Sequence, residues 1–243
     1  MWYQFAVENR GIVDVMTTIL GEHFLLRHLP PEDLARLEAF ATTRRFKANQ
    51  PVFMKGDPAS GMMAVLKGRV RISSYSADGR EVVLNVINPG EVFGEIALID
   101  GGERTADASA MEETELLVLE RRDFLPFLER NPELCIKLLK VMCQRLRQTS
   151  EQLEDFSFLD LRTRLAKRLL DLVRSHGETE ADGATRIDLT LSQRVLGAMM
   201  GTSREAVNKQ LRAWEGEGVI RLKRGSITIL DPERLELIVE ALD

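Results

Sequence analysis

Between about Arg44 and Leu119 the apolar residues come in short runs. Met62-Met63-Ala64-Val65-Leu66 and Val82-Val83-Leu84-Asn85-Val86-Ile87 are two of them, and Val70 and Ile72 alternate with more polar neighbours. Turn signals separate the runs: Gly56-Asp57-Pro58, Lys67-Gly68, Asp78-Gly79, Asn88-Pro89-Gly90 and Gly101-Gly102. Many short strands at even spacing predict a barrel or roll. Upstream, residues from about Phe24 to Phe40 predict short helices, with Pro30-Pro31-Glu32-Asp33 as a starting signal. From Pro132 to about Phe158 the period changes. Cys135, Leu139, Met142, Leu146, Thr149, Leu153 and Phe156 step by alternating fours and threes, a heptad seam. A core helix within the chain is the alternative, but such helices show a broader apolar stripe, so the seam predicts a partner helix. A further helix is expected from Asp160 to about Ser175, then a polar loop from His176 to Gly183, then strand, helix, turn, helix and hairpin.

The richest segment runs from Phe93 to Ala106. Gly94 precedes Glu95-Ile96-Ala97-Leu98, a glycine turn entering a short helix, whose first backbone N–H groups suit an anion. Glu95 can accept from a sugar hydroxyl, Arg104 offers a donor fork suited to phosphate, and Thr105 adds a hydroxyl beside it. Taken singly, the glycine is an ordinary cap and the Arg–Glu pair an ordinary surface pair. Together, Gly-Glu-Ile-Ala-Leu followed by Arg-Thr-Ala resembles the phosphate-binding cassette of cyclic-nucleotide-binding domains. The resemblance implies that Glu95 meets a ribose hydroxyl and that Arg104 pairs with a cyclic phosphate, helped by Thr105 and backbone groups of Gly94, Glu95, Ile96 and Ala97.

Ser192 to Trp214 has the form of a helix-turn-helix. Ser192 is a candidate N-cap, with Val195, Leu196 and Met199 on the buried side of the first helix. Gly201 sits at the turn, and Ser203 caps a second helix from Arg204 to Trp214. Val207, Leu211 and Trp214 form its apolar face, leaving Arg204, Glu205, Asn208, Lys209 and Arg212 outward. Such a helix enters the major groove, where Arg204 can bond a guanine and Glu205 can accept from a cytosine amino group. Val219 to Ile229 predicts a hairpin wing whose basic residues face phosphate.

Arg145-Leu146-Arg147-Gln148-Thr149-Ser150-Glu151 and Thr202-Ser203-Arg204-Glu205-Ala206-Val207 resemble the dimer helix and recognition helix of the CRP/FNR regulators. The resemblance covers about Phe24 to Leu230. It implies an α+β chain: a cyclic-nucleotide-binding β-roll with N-terminal helices over residues 1–130, a dimerisation helix over 131–159 and a winged helix-turn-helix over 160–243. It further implies that Thr149 meets the purine in its own subunit and Ser150 in the partner's. The implied ligand is cyclic AMP, or alternatively cyclic GMP, which Thr105 could favour. The implied partners are double-stranded DNA, a second copy of the chain and RNA polymerase, approached in this family through the surface that His176 to Gly183 occupies. Where the family often has Arg, this chain has Lys209.

Charge alters this picture little. The net charge is −5, but from Leu161 onward 14 basic residues face 13 acidic ones, against 19 and 25 before it, a weak bias of the DNA-binding sign toward the C-terminal part. Cys135 and Cys143 are too far apart on one helix for a disulfide and too few for a zinc or iron–sulfur site; His23, His28 and His176 are scattered, and none lies in the roll. No metal is expected. The alternative is a CRP/FNR-type regulator sensing another small molecule or a redox signal; redox or haem sensing, known among such regulators, is disfavoured. No nucleophile–base set suggests an enzyme, and a kinase regulatory subunit would lack the winged helix. No apolar run reaches the roughly 18 residues of a membrane span. The start Met1-Trp2-Tyr3-Gln4-Phe5 lacks a signal-peptide pattern, so a cytoplasmic protein is expected.

Overall fold

A computed structural model of the chain describes residues 39–180, 183–187, 192–223 and 225–240. The helices expected between Phe24 and Phe40 lie outside the described residues except for Ala39 and Phe40, which are helical.

The short apolar runs do form strands. Thr42–Phe46 (β1), Thr114–Glu120 (β8), Gly61–Lys67 (β3) and Val92–Phe93 (β6) make one sheet, in the order β1-β8-β3-β6. Pro51–Phe53 (β2), Asp107–Ala110 (β7), Val70–Tyr75 (β4) and Glu81–Ile87 (β5) make a second, in the order β2-β7-β4-β5. Met63, Val65 and Val118 of the first sheet join Val70 and Ala108 of the second in one buried cluster, which also holds Ile87, Phe93 and Leu116. The opposite face of β3, Met62 and Ala64, packs with Leu117 and Leu119 under helices. Both faces of β3 are therefore covered, which is why its apolar run is continuous rather than alternating.

Beyond Ala39 and Phe40, the helices among the described residues are α1 (Glu95–Asp100), α2 (Arg121–Arg130), α3 (Pro132–Phe158), α4 (Leu161–His176), α5 (Gln193–Met199), α6 (Arg204–Gly216) and α7 (Pro232–Glu240). The 27 residues of α3 span about 40 Å. Leu134, Leu138 and Val141 bury one stripe of its first half against the β3 cluster. The seam lies beside that stripe: Leu139, Leu146 and Leu153 are 58%, 68% and 67% exposed in the single chain. The stripe is the part of α3 that the heptad count passed over.

The third sheet joins Ile220–Lys223 (β11), Ser226–Ile229 (β12), Thr185–Ile187 (β10) and Gly177–Thr179 (β9), in the order β11-β12-β10-β9. β9 corrects the expected loop from His176 to Gly183: α4 runs through His176 and passes straight into a strand, with Gly177, Glu178 and Thr179 opposite Ile187, Arg186 and Thr185. All three β9 residues are exposed, so the strand is held by its backbone ladder and leaves no apolar alternation in the sequence.

The chain divides into two compact units. The first takes the described residues up to Ser74 and Leu84–Gln144; the second takes Tyr75–Val83 and the described residues from Arg145 on.

Candidate functional site

The candidate anion site of the first unit is built around α1. Its N-cap, Gly94, has φ 78°, a left-handed conformation that β-carbon-bearing residues avoid. A β-carbon on Gly94 would also overlap Nη1 of Arg104. The left-handed turn requires the glycine, and the missing β-carbon leaves room for the end of the Arg104 side chain where it now lies. At its other end α1 is closed by Arg121, whose Nε donates to Leu98 O at 2.6 Å and whose Nη2 donates to Ile99 O at 3.3 Å.

Arg104 is 6% exposed and Glu95 is 1% exposed. The Arg104 Nη1 donates to Gly94 O at 2.9 Å and Nη2 donates to Gly61 O at 2.7 Å. Burial pulls the pKa of Arg104 down, and the Glu95 and Asp57 carboxylates oppose that shift. An arginine stays protonated under such shifts, so the roll holds a permanent, largely dehydrated positive charge beside a buried carboxylate. An interior of this kind suits a ligand with both a phosphate and hydroxyl groups. Thr105 follows Arg104 and is exposed; Ile96 is exposed and Ala97 buried on α1.

Thr149 and Ser150 lie on α3, beyond Gln144, and belong to the second unit. Both are exposed, and each hydroxyl donates back along the helix, Thr149 Oγ1 to Arg145 O at 2.8 Å and Ser150 Oγ to Leu146 O at 3.0 Å. The end of α3 packs within this unit: Phe156 lies under the turn at Gly201, where a β-carbon would come within 3.0 Å of its ring, and Arg164 stacks 4.8 Å from the ring centroid. Asp155 pairs with Lys167 at 2.7 Å.

The helix-turn-helix forms from its caps. Ser192 Oγ accepts from Val195 N and Ser203 Oγ accepts from Ala206 N, each at 3.2 Å. Gly201 turns between the helices at φ 60°. Val207, Leu211 and Trp214 are buried as their spacing predicts; on α5, Leu196 and Met199 are buried while Val195 is only half-buried. Arg204, Glu205 and Lys209 are exposed at the start of α6. Hydrogen bonds from its own backbone amide and from Ser203 hold the Glu205 carboxyl below the usual carboxylate range, so it is ionised at neutral pH and remains an acceptor.

Two outward assignments need correction. Asn208 is half-buried, and its Oδ1 accepts from Gln193 Nε2 at 2.8 Å, which ties α6 to α5. On the wing, Arg221 is not turned out toward phosphate. It pairs with Glu180 at 2.5 Å, and Arg186 pairs with Glu178 across β9 and β10. Lys223 is exposed, and Arg224 lies outside the described residues. Between α5, α6 and the wing runs a groove of about 620 Å³, whose lining includes Ser192, Arg194, Arg204, Arg212 and Lys223. Arg212 pairs with Glu215 at 2.6 Å and Arg194 lies 3.9 Å from Glu81, so the exposed Arg204 and Lys223 are the groove's cations most available to a phosphate backbone.

A β-roll with a buried arginine and glutamate behind a glycine-led helix, in one chain with a helix-turn-helix, is the architecture of a transcription regulator of the ligand-binding class. Comparisons with known proteins agree. The cyclic nucleotide-binding domain profile matches residues 43–131 and the Crp-like helix-turn-helix domain profile matches residues 163–238. A CRP-like cAMP-activated global transcriptional regulator of Mycobacterium tuberculosis is 34% identical over 220 residues, covering 90% of this chain and 98% of that one. A cyclic AMP receptor protein of Thermus thermophilus is 35% identical over 218 residues, covering 90% and 97%. The crystal structure of a CRP/FNR-family transcriptional regulator, also from Thermus thermophilus, superposes with a TM-score of 0.68 at 29% identity, covering 82% and 98%. This chain belongs to the CRP/FNR family of transcription regulators. Among the described residues, no helix is long and apolar enough to cross a membrane.

Proposed function

We propose that the protein is a cytoplasmic, cyclic-nucleotide-responsive regulator that binds a palindromic operator as a homodimer and acts on RNA polymerase. The observation that carries this is the buried Arg104 beside the buried Glu95 behind the glycine-led α1. Cyclic AMP is the assigned ligand and cyclic GMP the alternative, because relatives at 34% and 35% identity are named for cyclic AMP. In this reading Arg104 binds the cyclic phosphate with Thr105 and the amides of Gly94 to Ala97, and Glu95 binds the ribose. Thr149 and Ser150 meet the purine once their hydroxyls turn from the α3 carbonyls. The exposed Leu139, Leu146 and Leu153 then bury against the same seam of a second copy.

The test is calorimetric titration with cyclic AMP and cyclic GMP, alone and with a synthetic inverted repeat of TGTGA-like half-sites. Binding coupling is reciprocal and typically about 5–150-fold. Operator should therefore tighten nucleotide binding by the factor by which nucleotide tightens operator binding. Identical nucleotide affinity with and without operator would sink the coupling, and no binding of either nucleotide would sink the ligand assignment.

At the DNA end, Ser192, Ser203, Arg204, Glu205, Asn208 and Lys209 form the proposed contact set. Ser192 and Ser203 cap their helices toward phosphates, Asn208 acts through its bond to Gln193, and Arg204 reads a guanine. Arg204→Ala should lower affinity for the inverted repeat by about 1–3 kcal/mol per half-site and flatten discrimination at one base pair. Gel-shift competition with single-base operator variants checks it. Full discrimination by the variant would show that another residue reads that base.

A further inference from the structure

Phe53, the last residue of β2, has no part in the functional assignment so far. Its ring lies against the guanidinium of Arg104, with the central carbon 4.3 Å from the ring centroid. Behind it stands the buried Phe93, at a centroid distance of 5.8 Å and a tilt of 33°. The turn that Phe53 enters also grips the arginine's backbone. Gly56 N–H donates to Arg104 O at 2.8 Å, and Arg104 N–H donates to Asp57 O at 2.9 Å. The turn is itself closed by Met54 N–H donating to Asp57 Oδ2 at 2.7 Å.

The guanidinium is thus tied at two points, to the carbonyls of Gly94 and Gly61. Two such bonds fix its position but leave it free to tilt about the line that joins them. A ring packed on its face removes that freedom. A flat, weakly hydrated cation is also the group best suited to rest on an aromatic face inside a protein. We propose that Phe53 is a positioning residue for the anion site: its ring sets the plane of the Arg104 guanidinium, so that the N–H edges left over from Gly94 and Gly61 meet the ligand's phosphate. This rests on the cyclic-nucleotide reading above. A residue that merely fills the core would need apolar volume; a positioning residue needs a ring face, and needs it only while Arg104 is present.

The experiment is calorimetric titration of cyclic AMP into the full-length protein and into Phe53→Leu, Phe53→Tyr, Arg104→Leu and the Phe53→Leu/Arg104→Leu double variant, with thermal melts of each. Phe53→Leu should weaken binding about 3–30-fold, the range of a desolvated guanidinium–ring contact. Phe53→Tyr should stay within about threefold of wild type, since it retains the ring that makes that contact. Added to Arg104→Leu, the Phe53→Leu change should cost less than about twofold, because the cation that the ring faces is gone. Phe53→Met, which keeps apolar volume without a ring, carries the same expectation as Phe53→Leu if the latter fails to fold. Wild-type affinity in Phe53→Leu, or the same fold loss with and without Arg104, overturns the role of Phe53 and leaves the cyclic-nucleotide reading standing. A wild-type protein that binds neither cyclic AMP nor cyclic GMP overturns both.

Discussion

Arg104→Leu is expected to weaken cyclic-nucleotide binding at least tenfold. The guanidinium supplies the main counter-charge for a phosphate, and a charge-assisted hydrogen bond contributes on the order of 1.5–3 kcal/mol. Burial sharpens the expectation, since Arg104 is only 6% exposed and its charge is weakly screened by solvent. The same change leaves Gly94 O and Gly61 O without their donors, so the melting temperature should fall as well. Gly94→Ala separates the two effects. It keeps the arginine but drives a β-carbon toward Nη1 at a position with φ 78°, so affinity should fall with the cation still present. Calorimetry and thermal melts of both variants check this; wild-type affinity in Arg104→Leu would remove the arginine from the phosphate site.

Trp214→Ala should carry the largest stability effect of any single change in the DNA-binding part. Trp214 is fully buried on the inner face of α6, beside Val207 and Leu211, which are also buried. Truncating a buried tryptophan typically costs about 3–5 kcal/mol through lost transfer energy and the cavity left behind. Two further bonds rest on α6 keeping its place. Val219 N–H donates to Trp214 O at 2.9 Å, and Glu215 accepts from Leu222 N at 3.1 Å, together holding the wing against the recognition helix. Urea unfolding followed by circular dichroism should show a transition displaced to lower denaturant. Operator affinity should fall with it, although Trp214 is buried and touches no base. A shift below about 1 kcal/mol would mean that the α6 core relaxes into the space, contrary to what large-to-small changes at fully buried sites usually show.

Much of the candidate site was legible in the sequence because its signals are local. The glycine before Glu95, the cap serines at 192 and 203 and the burial of Val207, Leu211 and Trp214 each follow from a window of a few residues. Asn208 and Arg221 were misplaced for the opposite reason. Helical and strand periods left them outward, yet Gln193 and Glu180, far along the chain, supply partners within hydrogen-bonding reach. Periodicity counts faces; it does not count which neighbouring element covers a face.

By itself the amino-acid order determined the strand-rich roll, the glycine-led cassette, the long seam of α3 and the paired helices near the C-terminus. Those features depend on spacing, caps and turn residues, which act on neighbours along the chain. Only the tertiary structure decided that α3 buries a second stripe through Leu134, Leu138 and Val141, and that an exposed polar segment after His176 becomes strand β9. It alone decided that Phe53 comes to rest on the face of Arg104. The physical reason is common to all three. A ladder of backbone hydrogen bonds, a covered helix stripe and a ring beneath a guanidinium are made between segments that chain reversals bring together, and no local period encodes them.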